Sequence, residues 1–326
     1  MAYTTIDDPA QYFNTVLYTG DGGSNRSVTV GFQPNFVWLK ERNGTNDHTL
    51  FDSVRGATKR LRANVNEAED TQANQLKSFD SDGFTLGSLS AVNNNGQNYV
   101  SWNWKEDTTA GFDIVTYTGA SGDQTFAHSL GVAPEWYLVK ERGNVNSWVV
   151  NHIGLANQTN AYLLLNTNDA AGTDSWFNST APSSSVVHAN DGDSPTNRNG
   201  GTYVMYLWRS VKGFSKFGSY VGNSSTSGTF VYTGFRPAWV MIKRITDTQH
   251  WMIGDNKISP FNPTDNMLKA DTSDAEDTDN HVDFLSNGFK NRITGNAFNN
   301  SNSTYIYMAF AESPFVNSNG VPCNAR

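Results

Sequence analysis

The stretch Gly31-Phe32-Gln33-Pro34-Asn35-Phe36-Val37-Trp38-Leu39-Lys40-Glu41-Arg42 returns twice. It reappears as Gly131-Val132-Ala133-Pro134-Glu135-Trp136-Tyr137-Leu138-Val139-Lys140-Glu141-Arg142 and as Gly234-Phe235-Arg236-Pro237-Ala238-Trp239-Val240-Met241-Ile242-Lys243-Arg244. A short unit precedes each copy, at Tyr18-Thr19-Gly20, Tyr117-Thr118-Gly119 and Tyr220-Val221-Gly222. The prolines of the three copies are 100 and 103 residues apart, and Tyr99, Tyr203 and Tyr305, which open the closing segments, are 104 and 102 apart. That period exceeds the solenoid range and equals a small domain, so each repeat is expected to hold its own core.

Inside one repeat the hydrophobic pattern has the period of strands. Asn35 to Leu39 is nearly all apolar, and its counterparts Trp136 to Val139 and Trp239 to Ile242 repeat the pattern, the mark of a strand covered on both faces. The closing segments alternate: Val100, Trp102 and Trp104 share one face, as do Val204, Tyr206 and Trp208, and Ile306, Met308 and Phe310. Asn43-Gly44, Asp82-Gly83, Asn95-Gly96, Asn199-Gly200 and Asn287-Gly288 mark tight turns between strands. The proline of the signature fixes φ and starts a strand without needing a ladder donor. The expected fold is therefore all-β: three tandem β-sandwich, jelly-roll-like domains of about 100 residues each. The expected layout is a leader over 1–12, repeats over 13–108, 109–212 and 213–315, and a tail over 316–326.

Composition agrees. Charged residues make up 17% and aromatic residues 13%, so a 37% apolar fraction still supplies three small cores through 9 Trp, 13 Tyr and 19 Phe. The net charge of −8 argues against nucleic acid, which needs a basic stripe. No apolar run approaches about eighteen residues, and Met1 to Pro9 lacks the features of a signal peptide; synthesis in a cytoplasm, no Sec export and no membrane insertion are expected. The single cysteine, Cys323, excludes an intrachain disulfide framework.

Several blocks carry a resemblance to a known family. Tyr3-Thr4-Thr5-Ile6-Asp7-Asp8-Pro9, the repeated Gly-Phe-x-Pro-x-Phe-Val-Trp-Leu-Lys unit, Leu50-Phe51-Asp52-Ser53-Val54-Arg55-Gly56, Ser81-Asp82-Gly83-Phe84-Thr85-Leu86-Gly87 and Ala311-Glu312-Ser313-Pro314-Phe315 are its carriers. Essentially the whole chain resembles a module of marine bacteriophage virion structural proteins, the tail-fibre, appendage and capsid-decoration components with lectin-like jelly-roll modules. The resemblance implies a virion location, partners among other virion proteins, and no assigned chemistry.

The chemical motifs fit that expectation. No phosphate-binding loop, zinc-protease motif, nucleophile elbow or Cys-x-x-Cys pair occurs. Glu67, Glu69, Asp70, Asp80 and Asp82 supply carboxylates of the kind a glycosidase uses, but turn carboxylates such as Asp82 ordinarily cap the chain. The 6 histidines are dispersed, and neither Asp191-Gly192-Asp193 nor Asp271 to Asp279 matches a calcium loop. The expectation is a non-enzymatic structural protein with no cofactor and no metal, forming a homo-oligomer. Arg55, Arg60 and Arg62, without counterparts in the other repeats, are the expected virion-docking residues, with Asp7 and Asp8 of the leader as a second anchor. The alternative is an adhesin for host-surface glycan, in which Trp176, Trp148 and Trp251 offer stacking faces beside Asn-rich loops.

Overall fold

A computed structural model describes residues 2–190, 192 and 195–323. Each repeat builds a main antiparallel sheet whose strands lie side by side in the order opening, closing, central, second, third. In the first repeat these are Phe13–Thr19, Asn98–Trp104, Phe36–Glu41, Thr49–Asp52 and Lys59–Arg62. In the second they are Phe112–Thr118, Thr202–Trp208, Trp136–Glu141, Val149–His152 and Ala161–Leu164. In the third they are Ser215–Val221, Thr304–Pro314, Phe235–Arg244, Met252–Asp255 and Thr264–Lys269. The all-β sandwich class read from the sequence is the observed one.

Shorter strands cover the outer face of each main sheet. Arg26–Thr29, Gly83–Leu86 and Leu76–Asp80 do so in repeat 1, and Gln124–Ala127 with Val186–Ala189 in repeat 2. In repeat 3, Phe230–Tyr232 and Gly288–Asn291 stay joined to the main sheet through Asp277–Leu285.

The signature residues have local reasons. Gly31, Gly131 and Gly234 all have positive φ, +99°, +72° and +85°, which a side chain would strain. A Cβ on Gly20, Gly119 or Gly222 would lie 2.1, 2.2 or 2.3 Å from a carbonyl oxygen of the hairpin passing over it. The tyrosines stack in pairs across opening and closing strands: Tyr18 on Tyr99 at 5.2 Å, Tyr117 on Tyr203 at 4.8 Å, Tyr220 on Tyr305 at 5.0 Å.

The two faces of each central strand serve two different cores. Val37 and Leu39, Tyr137 and Val139, and Val240 and Ile242 point outward into a core private to their own repeat. Phe36 and Trp38, Trp136 and Leu138, and Trp239 and Met241 point inward and meet in one cluster that all three repeats share. The alternating faces of the closing strands, Val100-Trp102-Trp104 and their counterparts, are buried in that same shared cluster. Its centre is aromatic: Trp104 meets Trp208 at 6.1 Å, Trp239 at 5.9 Å and Phe310 at 5.6 Å, all edge to face. Each repeat thus holds a core of its own and lends its inner sheet face to a fourth. No helix among the described residues is long and apolar enough to cross a membrane.

Candidate functional site

The seams between repeats repeat one set of contacts around a closed ring. The last residue of each second strand reaches into the next repeat. Asp52 of repeat 1 accepts from Tyr206 Oη of repeat 2 at 2.6 Å. His152 of repeat 2 is 3.1 Å, through Nε2, from the Tyr307 carbonyl of repeat 3. Asp255 of repeat 3 accepts from Trp102 Nε1 and Thr15 Oγ1 of repeat 1, at 3.0 and 2.7 Å. Because Gly154 N–H donates to His152 Nδ1 at 2.9 Å, Nε2 carries the proton and donates to Tyr307.

A second ring of contacts lies toward the other end of the strands. Glu69, Ala171 and Glu276 each donate a backbone N–H to the repeat that follows, to Arg142, Ile245 and Arg42 carbonyls at 2.8, 3.0 and 2.8 Å. Arg142 and Arg42 return a two-pronged ion pair to Glu69 and Glu276, with bonds of 2.8 to 3.0 Å. In the remaining seam, between repeats 2 and 3, Ala171 and Ile245 occupy these places.

The arginines expected to dock on a partner are spent inside the molecule. The Arg55 side chain is fully buried: Nε pairs with Asp52, and Nη1 donates to Glu69 at 2.8 Å. Arg60 pairs with Asp70 at 2.9 Å, and Arg62 with Asp47 at 3.0 Å and with Glu67. The cluster is a seam brace and three ion pairs nearer the surface, not a free cationic patch. Trp148 and Trp251 do not offer the stacking faces expected of them. Both are 0% exposed, with Nε1 donating to Arg62 and Leu164 carbonyls of the preceding repeat at 2.8 and 2.9 Å, so neither ring face can reach a sugar. Trp176 is half-buried, packed against Tyr162 at 4.0 Å.

The leader is ordered against the ring. Ile6 joins the shared core, and Tyr12 packs on Phe214 at 6.1 Å. Asp8 caps the turn Pro9–Gln11, while Asp7 accepts from Ser318 N–H at 2.7 Å; both carboxylates are exposed.

Several buried ionisable groups are perturbed. Burial lowers Lys40, Lys140 and Lys243 to about 8, each ammonium donating to main-chain carbonyls. Burial, with the neighbouring Asp113 carboxyl, raises Glu106 to about 7. Burial lowers His152 to about 3 and pushes His48 well below its usual value. These groups are turned to seams and turns. Among the described residues no three of His, Cys, Asp or Glu gather as a metal site; Asp191 and Asp193 lie outside the described residues.

The end of the ring marked by Asp52, His152 and Asp255 is the candidate surface. Cross-strand rows place Phe13, Trp104, Phe36 and Asp52 at this level, with Phe112, Trp208, Trp136 and His152 in repeat 2. The leader emerges at the same level. The loop that follows each second strand presents one large exposed apolar side chain there: Val54 at 45%, Ile153 at 46% and Phe261 at 81%. Sequence reasoning missed these, because a lone apolar residue in a loop carries no periodic signal.

A family model described as a domain of unknown function (DUF7483) matches residues 8–314. No curated protein matches the chain.

Proposed function

We propose, from the premise that this chain belongs to the DUF7483 family over its whole repeat region, that it is a non-catalytic structural subunit of a phage particle. Its partners in that role are other virion proteins and further copies of itself. One observation carries the reading: the seam contacts close from repeat 1 to 2 to 3 and back to 1, so a single chain forms the threefold body that a homotrimer would form. The family match spans all three repeats as one unit, in keeping with a ring that works only when complete.

Two further observations support a structural role. Of the arginines that repeat 1 carries without counterparts, Arg55 braces a seam and Arg60 and Arg62 are held in ion pairs of the same repeat, and one large exposed apolar residue recurs in the loop after each second strand. Exposed apolar side chains arranged in this way suit docking on a partner surface. Attachment then runs through the end bearing Val54 and Phe261, with the opposite hairpins facing outward.

Cryo-electron microscopy of purified particles tests the proposal. The expected result is three-lobed density on the particle, lost or reduced in particles carrying Val54→Asp and Phe261→Asp together. Absence of the wild-type chain from particles overturns the virion role, and unchanged copy number for the double variant overturns this docking end.

A further inference from the structure

A cleft of about 510 Å³ opens on the seam between repeats 2 and 3, at the same end of the ring. Its size is within the range of small-ligand sites. Tyr3 of the leader and Tyr232 of repeat 3 form one wall, their hydroxyls 3.4 Å apart, and Tyr3 is fixed by donating to the Gly234 carbonyl at 2.7 Å. Tyr232 is 50% exposed.

Two ammonium groups converge on these rings. Lys212 Nζ lies 4.4 Å from the Tyr3 ring centre, and Lys216 Nζ 5.2 Å from that of Tyr232 while donating to the Tyr232 carbonyl at 2.8 Å. Among the described residues the lysine ion pairs belong to Lys269, so neither charge is matched by a carboxylate. In a chain of net charge −8 such a pair at one cleft is conspicuous. Glu135 faces the same space, holding the Ser210 hydroxyl.

These groups ask for three things at once: an anion for the ammoniums, hydroxyl donors for Glu135, and an apolar C–H face for the exposed tyrosine. An acidic sugar offers all three. A doubly charged phosphate would be repelled more strongly by Glu135 than a single carboxylate is. An extended peptide has no strand edge to extend here, because repeat 2 lies against Ser215–Val221; a Cβ built on Gly154 would be 3.1 Å from the Gly218 carbonyl oxygen. We propose that this cleft binds a carboxylated sugar unit, of the uronic or sialic type, with Lys212 and Lys216 on the carboxylate and Tyr232 under the ring.

Titration calorimetry of the full chain tests this, with digalacturonate and N-acetylneuraminate as acidic probes and maltose as the neutral one. The expected result is binding of an acidic probe about tenfold or more tighter than maltose, weakening as salt is raised. Lys212→Ala with Lys216→Ala, and separately Tyr232→Ala, should each weaken it about tenfold with unchanged melting temperature. Lys212→Glu, at an exposed side chain, gives the same loss, its cost to the protein being the contact with the Tyr3 ring. No binding of either acidic probe at millimolar concentration, equal affinity for maltose, affinity unmoved by the variants, or tighter binding of a glutamate tripeptide would each overturn the assignment. Because the purified chain is used, these outcomes are independent of whether it sits on a particle.

Discussion

His152, Asp52 and Asp255 occupy one position of the repeat and meet the same demand with different chemistry. Where the facing repeat offers a side-chain donor, Tyr206 or Trp102, the position is a carboxylate; where it offers the Tyr307 carbonyl, the position is an imidazole that donates. That imidazole must stay neutral, since its Nδ1 accepts from Gly154. Burial lowers its pKa to about 3, below the unfolded value near 6.5. The unfolded chain therefore binds this proton first, and the stability it represents is complete above about pH 6.5 and declines as pH falls toward 3, by about 1.4 kcal/mol per pH unit. Glu106, raised to about 7, works in the opposite sense, gaining stability as pH falls through 7. Comparing wild type with His152→Gln by urea unfolding at pH 7 and pH 4.5 isolates the histidine. The stability difference between wild type and variant should shift by about 2 to 3 kcal/mol in the variant's favour at the lower pH; a pH-independent difference would refute the assignment.

At the scale of elements, the turn after the second strand of repeat 1 shows what sequence pattern carries and what it does not. Asp52 accepts from the Arg55 backbone at 2.7 Å, Gly56 takes φ of +106°, and the turn folds Arg55 inward onto Asp52 and Glu69. The sequence marks Asp-Ser-Val-Arg-Gly only as a block that carries the resemblance; neither its turn nor the inward aim of Arg55 is read from it, and that aim depends on Glu69 and Tyr206, which are distant in sequence. Likewise Trp148 and Trp251 stand at the repeat position of His48, each with a backbone N–H bonded to the side chain of Asn166 or Asp271, as His48 is to Asn64. Aligning the three repeats residue by residue brings that equivalence out, and marks the tryptophans as parts of a seam. Arg55→Ala should cost about 3 to 5 kcal/mol, because it strands a buried carboxylate. Arg60→Ala, at a partly exposed pair, should cost under about 1 kcal/mol. Chemical denaturation of the two variants checks this; equal small losses would mean that Arg55 is not buried as described.

For the whole molecule, the sequence announces the strands, the turns and the threefold repetition, and the two-sided burial of the central strands follows from their unbroken apolar runs. What it leaves open is where the second buried face finds its cover. Alternation in Val100-Trp102-Trp104 says that a face is buried, not against which partner, and a sandwich within the repeat satisfies it as well as a neighbour does. The structure gives that face to the other repeats, and with it Phe36, Trp136 and Trp239. A lone repeat would expose this aromatic surface, so the three should melt as one. Differential scanning calorimetry of the full chain measures this directly. The account predicts a single transition whose van't Hoff and calorimetric enthalpies agree. Separate transitions, or a van't Hoff enthalpy near one third of the calorimetric value as three independent repeats would give, would contradict it.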